Sequence, residues 1–255
     1  MMPLELIGIR KSFGRIDAVN DVSLRFAPGR VSALIGPNGA GKTTLFNLIS
    51  GYLRPDAGAI RCYGQRLDGL APWKVARLGI GRLFQDVRLF GRMTVLDNVL
   101  AAFPGQSGER VWRAILWRRS VRVQEESLKE RASSLLKSVG LHVRADELAG
   151  NLSFGQQKLV ALARLLAARA DVLLLDEPAA GVAPHLVPQL LGTIRKIANE
   201  GSTVVVIEHD MGVVAEVADR VCFMEAGRIS LSGTSDEVLR DATVRAAYLG
   251  MEALP

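Results

Sequence analysis

Apolar positions along the chain group into short runs separated by turn residues. LELIGIRKSF (Leu4–Phe13) and DVSLRF (Asp21–Phe26) read as short strands joined by a turn around Gly14. VSALI (Val31–Ile35) is an apolar strand that ends at Gly36, and a helix follows from about Lys42 to Ser50. GAIRCYG with the neighbouring RLDG predicts strand and turn, and GIGRLF (Gly79–Phe84) another short strand. Further on come a helix opening at Ser153, a strand over Val172–Leu175, a helix after Pro184, and strands over Thr203–Ile207 and Arg220–Met224. GRISLSG adds a last strand, and the tail from Ser235 predicts two short helices. Strands alternating with helices argue a parallel sheet covered on both faces. Between Thr94 and Asn151 the pattern is nearly all helical, with a polar break at PGQSGE, so this stretch reads as a subdomain inserted into the α/β core. No internal repeat is apparent.

Composition narrows the class. At 255 residues, with 49% hydrophobic and 23% charged residues, the chain can build a core of ordinary size in one large domain or two small ones. LVALARLLAARA is interrupted by Arg164 and Arg169, and no other apolar run is long enough to span a bilayer. MMPLELIGIRKSF reads as a strand and not as a signal peptide. Cys62 and Cys222 are the only cysteines, which leaves no disulfide framework and fits a reducing cytosol. The net charge of +6 is densest in RVWRAILWRRSVRV (Arg110–Val123). That segment reads first as a solvated helix face, then as a membrane-surface element, and last as a nucleic-acid site, because it lacks a recognised binding module. Trp112 and Trp117 within it suit either a core or a partner's surface.

The chemistry is concentrated at strand ends. GPNGAGKT (Gly36–Thr43) fits G-x-x-x-x-G-K-[ST] and sits between a strand and a helix, the context that pattern requires. Its glycines let backbone N–H groups turn toward phosphate oxygens, and the following helix adds its positive end. Lys42 can reach the β- and γ-phosphates, and the Thr43 hydroxyl can ligate Mg²⁺. In LLLDE, a buried strand delivers Asp176 to its carboxyl end, where it can hold Mg²⁺. Glu177, one residue on, is placed to polarise an attacking water. VVVIEHD repeats the design and puts His209 where an imidazole can donate to the γ-phosphate. Gln85, after GIGRLF, can sense both metal and phosphate. NLSFGQQ opens a helix with S-x-x-Q (Ser153, Gln156), a capping box.

Taken in order, the phosphate loop at Gly36, Gln85, the signature at Leu152, the Asp176 strand and His209 resemble the ATP-binding subunits of ABC transporters over nearly the whole chain. The resemblance implies an α/β fold with a RecA-like P-loop NTPase core and an N-terminal antiparallel β subdomain, over about 1–93 and 152–255. An α-helical subdomain is inserted over about 94–151. It implies ATP and Mg²⁺ as ligands, held by Gly36, Pro37, Asn38, Gly39, Ala40, Gly41, Lys42, Thr43 and Thr44, with Thr43, Gln85 and Asp176 at the metal. Glu177, His209 and Gln85 are implied as catalytic residues, with Phe13 stacked on adenine and Val19 as a nearby apolar contact. Ser153, Gly155 and Gln156 would meet the γ-phosphate bound to an opposite subunit, so the active unit would be a head-to-tail homo- or heterodimer. Two departures stand out. Phe154 replaces the first glycine of LSGGQ, and Ala183 stands where an aspartate that contacts the opposite subunit is usual, which bears on whether the two sites are equivalent.

GPNGAGKTTLFNLISG, GIGRLFQDVRLFGRMTVLDNVLAA, LSFGQQ, DEPAAG and the ending AAYLG resemble, more narrowly, the ATPases of branched-chain amino acid importers, of which the long helical insert suits the larger. Such a subunit would work at the cytoplasmic face of the inner (plasma) membrane with integral permease subunits and, indirectly, a solute-binding protein, without nucleic acid. ATPases for urea or lipopolysaccharide export share parts of these motifs. A soluble ABC ATPase acting on DNA or ribosomes is the rival from another class, and the tandem domains or long coiled coils usual there are missing.

Overall fold

The computed structural model describes residues 3–106 and 118–252. Residues 107–117, with Arg110, Trp112 and Trp117 of the basic stretch, lie outside them. Two compact units emerge: Met1–Gln85, Asp171–Ala180 and Ile194–Pro255 in the first, and Asp86–Ala170 with Gly181–Thr193 in the second.

The first unit contains two sheets. Strands β1 (Leu4–Phe13) and β2 (Ile16–Phe26) form an antiparallel hairpin. With β4 (Ala57–Cys62) and β5 (Gln65–Arg66) they complete a four-stranded sheet in the order β2-β1-β4-β5. On β2 the inward positions Val22, Leu24 and Phe26 alternate with exposed Ser23 and Arg25, the period-2 pattern of a sheet with one buried face. This strand begins five residues earlier than the expected Asp21–Phe26, because pairing with β1 down to Phe13–Ile16 recruits the polar residues of IDAVN.

The second sheet has six strands. β3 (Arg30–Ile35), β6 (Ile80–Leu83), β7 (Val172–Asp176), β8 (Thr203–Ile207), β9 (Arg220–Glu225) and β10 (Arg228–Thr234) lie in the order β10-β9-β3-β8-β7-β6. Every pair except β10–β9 is parallel. VLLLD and TVVVI are buried at every position, as strands covered on both faces must be. The register sets Asp176 beside Ile207 and Leu34 beside both Ile207 and Cys222, which brings the carboxyl ends of β3, β7 and β8 together. Helix α1 (Lys42–Ile49) follows β3, and Leu45, Phe46, Leu48 and Ile49 bury one face of it. Short helix α2 (Pro72–Arg77) precedes β6, with proline at its start.

The second unit is helical: α3 (Val95–Leu100), α4 (Arg118–Ser138) and α5 (Phe154–Ala167). Leu128, Ala132 and Leu136 recur every four residues on α4 and are buried, as is the stripe Leu159, Val160, Leu162 and Ala163 on α5. Fully buried Asn98 donates to the carbonyls of Phe90 and Thr94 and accepts from the Phe90 amide, which fixes the entry to α3. At the described end of the basic stretch, exposed Arg122 pairs with Glu126 at 3.3 Å, a solvated i,i+4 contact. This unit is larger than the expected 94–151 insert. It takes in the helix that opens at Ser153, because the buried stripe of α5 packs against α3 and α4. Helices α6 (Val187–Asn199), α7 (Met211–Val217), α8 (Ser235–Arg240) and α9 (Ala242–Glu252) complete the chain. Among the described residues no helix is long and apolar enough to cross a membrane.

Candidate nucleotide site

The loop between β3 and α1 curls over the end of the parallel sheet. Gly36 and Gly41 have φ values of +148° and +103°, and a Cβ at either would overlap a backbone carbonyl, of Met224 and Ala18 respectively. Only glycine permits that path. Lys42 lies inside the curl, 6% exposed, and its Nζ donates to the carbonyl oxygens of Gly36 (2.6 Å) and Pro37 (2.9 Å). Burial lowers its pKa, and the nearby carboxylates of Glu177 and Asp176 push the other way. The ammonium is thus held at the loop, desolvated, with negative charge close by. Thr43 is exposed at the first turn of α1 and Thr44 half-buried beside it.

A cavity of about 560 Å³ is lined by Asn38 to Thr44, by Ile16, Asp17 and Ala18 of β2, and by Glu177, His209 and Ala226. Its size suits a nucleotide. Phe13 and Val19 do not line it. Phe13 stands 48% exposed beside the Lys11 ammonium, and Val19 is 1% exposed in the hydrophobic core. Val19 faces the core although it is out of phase with Val22, Leu24 and Phe26, because the pairing with β1 shifts register between Val19 and Val22, and the cavity wall is formed by Ile16, Asp17 and Ala18. Ile16, 71% exposed, is the apolar residue that sequence reasoning missed here.

Glu177 is the centre of the strand-end cluster. Its Oε2 accepts from Gln85 Nε2 at 2.8 Å, and its Oε1 accepts from His209 Nε2 at 2.7 Å. Its backbone sits at φ +48°, in the left-handed region. That conformation is fixed by hydrogen bonds from its own amide to the Ile207 carbonyl (3.0 Å) and from the Ala180 amide to its carbonyl (3.2 Å). Non-glycine residues in this region gather at functional sites. Buried Glu208 braces the same loops, since its carboxylate accepts from the Ala179 amide at 2.9 Å and the His209 amide at 3.3 Å. Asp176, 7% exposed, pairs with Arg82 of β6 at 2.9 Å. The arginine inside GIGRLF was the available signal, since a charge in a short apolar strand calls for a buried partner. Among the described residues no group of three or more His, Cys, Asp or Glu side chains could hold a metal. An ion at Asp176 and Thr43 would therefore complete its shell with phosphate and water oxygens, the habit of Mg²⁺.

In the second unit, α5 opens as a capping box. The Gln156 amide donates to Ser153 Oγ (3.4 Å), and the Ser153 amide donates to Gln156 Oε1 (3.1 Å). Gly155 is buried, and a Cβ there would stand 2.9 Å from Val182 Cγ1. Phe154 is 39% exposed, with the Lys158 ammonium 4.9 Å from its ring centre.

The family model for ABC transporters matches residues 19–180. The high-affinity branched-chain amino acid transport ATP-binding protein LivG of Escherichia coli (strain K12) is 38% identical over 97% of this chain and 97% of its own length. Among solved structures, the ADP conformation of MJ1267, an ATP-binding cassette of an ABC transporter, superposes with a TM-score of 0.83 at 32% identity, covering 98% of this chain and 99% of that one. The dimeric post-hydrolysis state of the cassette MJ0796, bound to ADP and Pi, is similar at 25% identity with a TM-score of 0.73, covering 91% and 98%.

Proposed function

The chain belongs to the ABC transporter family, and we propose that it is the ATP-binding and hydrolysing subunit that powers import of branched-chain or other hydrophobic amino acids through separate membrane subunits. The observation that carries the substrate class is the end-to-end match to LivG, with 97% of both chains aligned. The chain works at the cytoplasmic face of the plasma membrane, bound to permease subunits and paired with a second ATPase, identical or related.

The amides from Gly39 to Thr44 and the Lys42 ammonium take the phosphates of ATP, and the exposed Phe13 ring stacks on the base. Thr43, Asp176 and Gln85 are the residues that would hold Mg²⁺, and the ion would supply neutralisation of the phosphate charge. The Glu177 carboxylate accepts a proton from the attacking water, and His209 turns its Nε2–H from Glu177 to the γ-phosphate. Gln85 and His209, which both hydrogen-bond the Glu177 carboxylate, are the groups with a role toward phosphate, so nucleotide entry exchanges these hydrogen bonds for others. Ser153 and Gly155, at the N-terminus of α5, complete the site bound to the opposite ATPase.

The test is reconstitution with the cognate membrane and solute-binding subunits in vesicles. Uptake of leucine, isoleucine or valine that requires ATP and stops with Glu177→Gln supports the reading. ATP-driven uptake of another solute class, with none of these three, overturns the substrate assignment.

A further inference from the structure

One buried guanidinium joins three parts of the nucleotide site. Arg82 Nη2 meets Asp176 Oδ2 at 2.9 Å, with both side chains at 10% exposure or less. Its Nη1 donates to Asn47 Oδ1 (2.6 Å) on α1 and to Ser50 Oγ (3.1 Å) at the C-cap of that helix. The Phe84 and Phe46 rings lie 4.6 and 5.7 Å from its centre. Arg82 sits three residues before Gln85, on the strand that pairs in register with β7 (Arg82 with Leu174). Its Nε is buried with no hydrogen-bond partner. A side chain that leaves one donor unsatisfied while aiming two others is held for direction, since burying an ion pair is by itself weak evidence of stability.

We propose that Arg82 is the positioning residue for metal at this site: it fixes Asp176 in one orientation, with Oδ2 occupied, so that Oδ1 is the oxygen presented to the Mg²⁺ of Mg·ATP. The inference rests on the proposed role of Asp176. Lysine cannot reproduce the function, because a single ammonium lacks the planar fork that reaches Asp176 and the Asn47 and Ser50 acceptors together. The alternative is that Arg82 only supports α1, and through it the phosphate loop. The two differ in what they predict for nucleotide without metal.

The experiment measures binding of a fluorescent ATP analogue to the full-length chain, with Mg²⁺ and with a chelator instead. Arg82→Lys keeps the charge, so any effect reports geometry. We expect its affinity for Mg·ATP to fall about tenfold, the lower end for a lost outer partner of a metal ligand, with metal-free affinity within about twofold of wild type. Equal losses with and without Mg²⁺, or no loss at all, would overturn the inference. Asp176→Asn tests the underlying reading separately: if it leaves the Mg²⁺ dependence intact, the metal assignment of Asp176 fails and the inference with it. Should Arg82→Lys fold poorly, the double variant Arg82→Met/Asp176→Asn removes both charges and leaves none buried alone. It should match Asp176→Asn in both conditions, and a further loss of metal-free binding would instead make Arg82 a support for α1.

Discussion

The Tyr248 hydroxyl accepts a hydrogen bond from the Gly36 amide at 2.8 Å. Residues 212 positions apart are thereby joined, and the C-terminal helix α9 is tied to the first glycine of the phosphate loop. Gly36 is buried at the end of β3, where its N–H has left the sheet ladder and needs a partner. Burial raises the Tyr248 pKa, and the amide donated to its oxygen works against that rise, so the phenol stays neutral. Tyr248→Phe keeps the ring and removes the acceptor. It should lower stability by about 1–3 kcal/mol, the cost of a buried donor left unsatisfied. Urea denaturation of the full chain checks this, and an unchanged midpoint would show that the amide finds another partner.

Glu177→Gln should leave ATP affinity within about threefold of wild type and reduce hydrolysis by at least about a hundredfold, the range for a lost general base. The amide keeps the volume but cannot accept a proton from water. Its NH₂ group then faces Gln85 or His209, which must flip its amide or change its tautomer to accept the new hydrogen bond. Equilibrium binding and single-turnover hydrolysis in the assembled transporter separate the two effects.

Gly155 and Phe154 should respond differently to substitution. A Cβ at Gly155 meets Val182 Cγ1 at 2.9 Å and Leu186 Cδ1 at 3.3 Å, so Gly155→Ala overpacks this chain's own interior. A stability loss of about 1–3 kcal/mol is expected, read by chemical denaturation. Phe154→Gly, at a partly exposed position, should change the ATPase rate of the assembled transporter less than about tenfold, or about 1.4 kcal/mol in barrier. A larger loss from Phe154→Gly would place the ring itself in the catalytic contact.

Both cysteines should be silent to thiol reagents in the native protein. Cys62 is buried and its pKa is raised to about 11, by burial first and by the Asp171 carboxylate second. Cys222 is buried and its pKa raised as well. At pH 8 neither supplies appreciable thiolate. A disulfide-exchange reagent should therefore titrate no thiol before unfolding and two after it. Rapid labelling of the folded chain would reveal local opening of β5 away from β4 or of β10 away from β9.

The sequence by itself determined what depends on local pattern. The strand–loop–helix at Gly36–Ile49, the buried strands ending at Asp176 and Ile207, and the capping box at Ser153 all follow from residues within a few positions of one another. Their geometry is set by glycine freedom, apolar runs and a side chain's reach to its own helix end. Only the tertiary structure decided which face each side chain meets and which distant group answers it. Val19 turned into the core while Ile16 reached the cavity, because pairing of β2 with β1 sets the inward side of the hairpin. The partner of Arg82 lies 94 residues away and that of Gly36 lies 212, and no periodicity spans such distances. Those contacts exist because the parallel register aligns the strand ends and because a buried donor or charge must be answered wherever the chain can supply a partner.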